Sequence, residues 1–153
     1  MADSPARAVQ DWMRAAGQPV ASHPQDYVPA DLASLRARLS LEECHELVDA
    51  IADGNLAAIA HELADQVVVA YGTAATYGLD LDRALDEVMR ANRSKFVAGR
   101  PILREDGKVL KGPDYRPPDM ERVVELCRIF GSTDRPIPAH VTKQAPMEAV
   151  TDG

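Results

Sequence analysis

Residues 41–65 read LEECHELVDAIADGNLAAIAHELAD, and this stretch decides the fold. Apolar side chains recur every three or four positions on both sides of Asp53-Gly54-Asn55, the spacing of one face of an α-helix. The Asp-Gly-Asn triplet breaks that period and supplies a turn. Working outward, Leu32, Leu35, Leu39, Leu47, Ala50 and Ile51 share a face of a helix that starts near Asp31. Leu56, Ile59, Leu63, Val67, Ala70 and Ala74 do the same for a helix ending at Tyr77-Gly78, where the glycine reads as a C-terminal cap. Two long helices joined by a short turn predict an antiparallel α-hairpin inside a bundle.

The same stretch carries the acidic residues that point to chemistry. Glu42 and Glu46 lie one turn apart, Glu43 precedes Glu46 by three, and Glu62 and Asp65 share a face of the second helix. The two patches lie at nearly equal sequence distance from Gly54, so an antiparallel hairpin brings them to one level. Five carboxylates at one level repel unless a cation sits between them. Oxygen donors suit a hard ion, Mg²⁺ or Mn²⁺, which keeps water and substrate phosphate in its shell. The alternative is a solvated charged helix face. His45 and His61 adjoin the cluster and are read as surface or packing residues, not ligands.

Flanking segments extend the bundle. Ala6–Ala16 is expected to form a short helix stopped by Gly17 and Pro19, and 19–29 to be a loop. Asp80 is an N-cap for a third core helix burying Leu81, Ala84, Leu85 and Val88. At its end Asn92 and Lys95 share a face, offering a polar donor and a cation; the alternative is a basic last turn complementing the helix dipole. Asp106-Gly107 between Ile102-Leu103 and Val109-Leu110 signals a small β-ribbon or ordered loop. Lys108, Lys111, Tyr115 and Arg116 make it basic and aromatic, a flap able to add countercharge over a polyphosphate. A last helix is expected over 118–130. The fold class is therefore all-α: an antiparallel bundle of four to five helices, completed by dimerisation, with a loop or ribbon near 100–112. The domain is placed at 1–131 and a flexible tail at 132–153.

The whole chain has 153 residues, 46% hydrophobic and 27% charged, with a net charge of -7. That is one ordinary domain, and its acidity argues against a module that binds nucleic acid by neutralising phosphates. Cys44 and Cys127 form no close pair and are expected to be buried thiols in a reducing cytoplasm. No apolar stretch is long enough for a membrane span, so the chain is expected to be soluble and cytoplasmic.

Glu42-Glu43-x-x-Glu46 followed by Glu62-x-x-Asp65 resembles the signature of the MazG-like all-α nucleoside triphosphate pyrophosphohydrolases. Glu87-Val88-x-Arg90-Ala91-Asn92-x-Ser94-Lys95, then Asp106-Gly107-Lys108-x-x-Lys111, is most similar to the single-domain members that cleave dUTP. The resemblance implies hydrolysis between the α- and β-phosphates of dUTP or another non-standard nucleotide. It implies Mg²⁺, with Mn²⁺ substituting, on Glu43, Glu46, Glu62 and Asp65. Glu42 is implied as the group that orients or deprotonates the attacking water, through a further metal if one is bound. Asn92 and Lys95 are implied at the nucleotide, and Lys108, Lys111 and Tyr115 at phosphates or sugar. Trp12 is implied near the base, its local alternative being a core anchor. The family also implies a homodimer or a dimer of dimers. The same chemistry on dCTP or a modified nucleotide, or a non-catalytic nucleotide-binding regulator, are the rival readings. Phosphoribosyl-ATP pyrophosphohydrolases, shorter and without the Lys108–Lys111 ribbon, are disfavoured.

Overall fold

The computed structural model describes residues 4–132. The tail expected beyond Ser132 lies outside them. Five helices follow in order: α1 (Pro5–Ala15), α2 (Ala30–Asp53), α3 (Leu56–Tyr77), α4 (Leu81–Arg93) and α5 (Met120–Phe130). Ser4 caps α1 by accepting from the Arg7 amide, and Pro5 opens it without losing a helix bond. Asn55 accepts from the Ala57 and Ala58 amides at the start of α3. Asp80 accepts from the Arg83 amide, as its sequence position predicts. The last helix begins two residues later than expected, because Asp119 rather than a proline caps it through the Arg122 amide.

α2 and α3 form the predicted hairpin, and α3 also carries α1. Met13 is buried where α1 crosses α3 beside Gly72, with the Arg36 guanidinium against the same glycine. The loop after α1 runs along the end of α3, where the Ala75 carbonyl accepts from the Ala21 amide and the Tyr77 carbonyl from the Gln25 amide. This loop passes so close to Gly78 (φ +69) that a Cβ there would overlap the His23 carbonyl oxygen. Ser132 is buried against the same loop, its amide bonded to the Ser22 carbonyl, so the folded unit includes this residue. α4 makes few contacts with α3, the Tyr71 hydroxyl donating to Asp82 among them, and packs against α5.

Between α4 and α5 the chain makes an ordered loop rather than a full ribbon. Isolated bridges pair Leu103 with Val109 and Val97 with Arg100, and no strand forms among the described residues. Asp106 closes the tip by accepting from Arg104 and from the Lys108 amide.

The expected burial holds on only one side of the hairpin. Ile51, Leu56, Leu63, Val67 and Leu85, all assigned inward by periodicity, are about half exposed or more, and Leu35 and Val88 are exposed as well. Cys44, expected to be buried, is exposed, whereas Cys127 is buried. The reason is geometric. With α2 and α3 facing each other through Arg36, Glu43, Ala50 and Gln66, the positions of Leu41, Cys44, Val48 and Ile51 fall on one edge of α2, and Glu42 and Glu46 on the other. On α3, Leu56, Leu63 and Val67 fall opposite His61 and Asp65. Antiparallel pairing aligns these edges, so the hairpin has an acidic face and an apolar face. No helix among the described residues is long and apolar enough to cross a membrane.

Candidate functional site

The acidic face gathers most of the predicted carboxylates. The Glu43 carbonyl accepts from the Gln66 side-chain amide at 3.3 Å, which fixes the level at which the two helices meet. Glu43, Glu46 and Glu62 each offer an oxygen within 4.8 Å of the others. Glu62 and Asp65 form a second such group with His61. Glu42 belongs to neither group and is exposed at the edge of the cluster. Burial, followed by the fields of Asp65, Glu46, Glu62 and Glu42, raises the pKa of Glu43.

One oxygen of Glu43 and one of Glu62 are buried with no hydrogen-bond donor. Leaving a buried acceptor unsatisfied costs about 1–3 kcal/mol, more when it is charged. Among the described residues only His61 forms an ion pair with any of the five carboxylates. An all-oxygen set carrying orphaned acceptors fits a hard divalent cation. Ligands on one Mg²⁺ lie at most about 4 Å apart, given metal–oxygen distances of roughly 2.1 Å, so small side-chain rotations would close the cluster on it.

His61 is the residue that sequence reasoning set aside. Its Nδ1 lies 3.1 Å from Glu62 Oε1 and its Nε2 3.3 Å from Asp65 Oδ2. The hydrogen bond to Glu62 and then the field of Asp65 raise its pKa, so its cationic form is favoured beside these carboxylates. The i, i+4 spacing of His61 and Asp65 permits this contact, and the side-chain rotamer makes it.

The residues assigned to substrate form a separate group. Asn92 and Lys95 are half-buried at the end of α4. Lys111 stands over the Tyr115 ring, 4.7 Å from its centroid, and Lys108 is exposed beside the loop tip. Among the described residues no hydrogen bond or ion pair links these five to the carboxylates. Trp12, 60% exposed, is no core anchor; its neighbour Met13 fills that role. Met13 sits at Gly72, and His61, Asp65, Val68 and Gly72 make one stripe of α3, so α1 packs on the continuation of the acidic edge.

The family model described as phosphoribosyl-ATP pyrophosphohydrolase matches residues 9–92, more than half of the chain. The matched stretch contains Trp12, all five carboxylates and the hairpin, and it ends before the Lys108–Lys111 loop. The branch disfavoured on account of that loop is thus the one whose model fits the chain from α1 through α4. This family lies within the MazG-like all-α superfamily, as the acidic motif implied. No curated protein matches the chain.

Proposed function

The chain belongs to the phosphoribosyl-ATP pyrophosphohydrolase family, and from that we propose that it hydrolyses a nucleoside triphosphate between its α- and β-phosphates. Water adds to phosphorus, the bridging P–O bond breaks, and a nucleoside monophosphate and pyrophosphate leave. The observation that carries this reading is the pair of buried, donorless oxygens on Glu43 and Glu62 beside Glu46 and Asp65. Mg²⁺, or Mn²⁺ in its place, is the cation proposed for them. Bound there, it supplies countercharge to phosphate oxygens and lowers the pKa of coordinated water.

The remaining steps belong to the chain itself. Glu42, exposed beside the cluster, accepts the proton of the attacking water. Asn92 and Lys95 hold the nucleotide, Lys108, Lys111 and Tyr115 close on phosphate oxygens, and Trp12 offers a face to the base. Phosphoryl transfer asks mainly for such positioning and neutralisation. We propose dUTP or another non-standard nucleotide as substrate, on the likeness of the Asn92–Lys111 run to dUTP-cleaving members. The family match favours a second reading, phosphoribosyl-ATP, cleaved at the same bond.

The apolar face supports the proposed dimer. Leu41, Val48, Ile51, Leu56, Leu63 and Val67 form a continuous exposed strip. A second copy presenting the same strip closes it into a four-helix core by two-fold symmetry.

The test is pyrophosphate release from dUTP, dCTP, the common nucleoside triphosphates and phosphoribosyl-ATP, with Mg²⁺, with Mn²⁺ and with chelator. Metal-dependent release from dUTP is expected; preference for phosphoribosyl-ATP selects the second reading. Metal-dependent binding with no release from any of them marks a nucleotide-binding regulator. Glu42→Gln is expected to cut turnover while retaining nucleotide affinity. Lost affinity makes Glu42 a ligand instead of a base.

A further inference from the structure

We propose that Glu87, Arg90 and Ser94 form a latch that positions Lys95, Lys111 and Tyr115 for the polyphosphate, an inference that rests on the nucleotide-hydrolysis reading above. Glu87 and Arg90 lie on one stripe of α4, and Ser94, the C-cap of that helix, continues it a turn on. The Glu87 carboxylate takes both Nε and Nη2 of Arg90, at 2.8 and 2.7 Å, and also accepts from the Asp119 amide at 2.7 Å. Arg90 Nη2 donates in addition to the Pro117 carbonyl at 2.8 Å. One turn on, Ser94 Oγ accepts from the Arg116 amide at 2.9 Å and donates to the Ala91 carbonyl at 2.7 Å. The segment 116–119, where the basic loop returns to the fold, is therefore held along α4 at two levels.

The outgoing limb is held against the incoming one. A Cβ at Gly112 would stand 2.9 Å from the Lys95 carbonyl oxygen and 2.7 Å from Val97 Cγ2, so only glycine permits this crossing. Lys95, Lys111 and Tyr115 are consequently gathered at the loop's stem, with Lys111 already stacked over Tyr115. A bidentate, charge-assisted fork is the strongest way to hold such a stem. Cations ordered before binding lose less conformational freedom when phosphate arrives, so the latch acts on affinity more than on the chemical step. None of the three latch residues needs to touch substrate.

The experiment uses the full chain with Glu87→Gln, which keeps an acceptor for the Asp119 amide but removes the charge that anchors Arg90, and Ser94→Ala as a second variant. Steady-state kinetics on the preferred triphosphate are expected to show KM raised about tenfold with kcat within about twofold. The double variant Glu87→Gln/Lys111→Ala is expected to lose less than the two single losses combined, because part of what Glu87 does passes through Lys111. Trypsin cleavage after Arg104, Lys108 or Lys111 is expected to accelerate in both latch variants at temperatures well below a thermal midpoint that falls by no more than a few degrees. Additive losses, a fall in kcat at constant KM, or unchanged cleavage overturn the latch. A parent chain that releases no pyrophosphate overturns the nucleotide reading instead. The latch is then judged on tripolyphosphate affinity and on trypsin: weaker binding with faster cleavage in Glu87→Gln sustains it, and no change in either overturns it.

Discussion

Glu43 and Glu62 each bury a carboxylate oxygen without a donor, a configuration that a purely structural role leaves uncompensated. Asp65 and Glu46 flank them, and the cluster loads one small volume with like charge, relieved among the described residues only by His61. Asp65→Ala therefore removes repulsion along with an oxygen proposed for the metal. Losses in outer-shell partners already cost about 10–100-fold in metal affinity or activity, so pyrophosphate release is expected to fall by more than about a hundredfold. The apo thermal midpoint is expected to stay level or rise. A drop of several degrees makes Asp65 a structural residue and removes it from the site. The carboxylates were legible in the sequence because helix periodicity groups them within each helix and the short turn at Gly54 brings the two groups to one level. His61 was not: whether an imidazole beside two acids faces them or faces water depends on side-chain rotamers that spacing does not set.

α4 shows the difference between recognising a motif and knowing its work. Glu87, Arg90 and Ser94 belonged to the run that carried the resemblance, yet their partners Arg116, Pro117 and Asp119 lie more than twenty residues away and obey no period. The Arg90 fork and then the Asp119 amide hold the Glu87 carboxyl down to about 2, against an ordinary 4.5. A depressed carboxylate pKa stabilises the fold fully above the unfolded value, and that stability drains away as pH falls from about 4.5 toward 2. The contribution is on the order of 1–2 kcal/mol once solvent screening at part-exposed Arg90 is allowed for. Thermal melts of the parent and Glu87→Gln are thus expected to differ by a few degrees at pH 6 and to converge near pH 2. A gap that persists unchanged into acid assigns the effect to packing instead of charge.

At the scale of the molecule, the hairpin has two unlike faces, and the apolar one gathers Leu41, Val48, Ile51, Leu56, Leu63 and Val67, all exposed, along one side of two paired helices. Val67→Asp, within that strip and remote from the carboxylates on the wheel, is expected to convert a dimeric parent to a monomer in sedimentation velocity, with its helical circular dichroism largely kept. A parent that sediments as a monomer overturns the two-fold core. The sequence by itself determined the helices, the turn at Gly54, the capping by Asp80 and the convergence of two acidic patches, because each follows from local geometry repeated every 3.6 residues. It also placed Ile51, Leu56, Leu63 and Val67 on a buried face, since periodicity tells an apolar stripe from a polar one without saying which surface covers it. Only the tertiary structure decided that these stripes stand outside the single chain. It alone decided that Cys44 is exposed, that His61 joins the acids, and that the loop returns along Glu87, Arg90 and Ser94. Each of those depends on contacts between segments far apart in the chain, which no local spacing encodes.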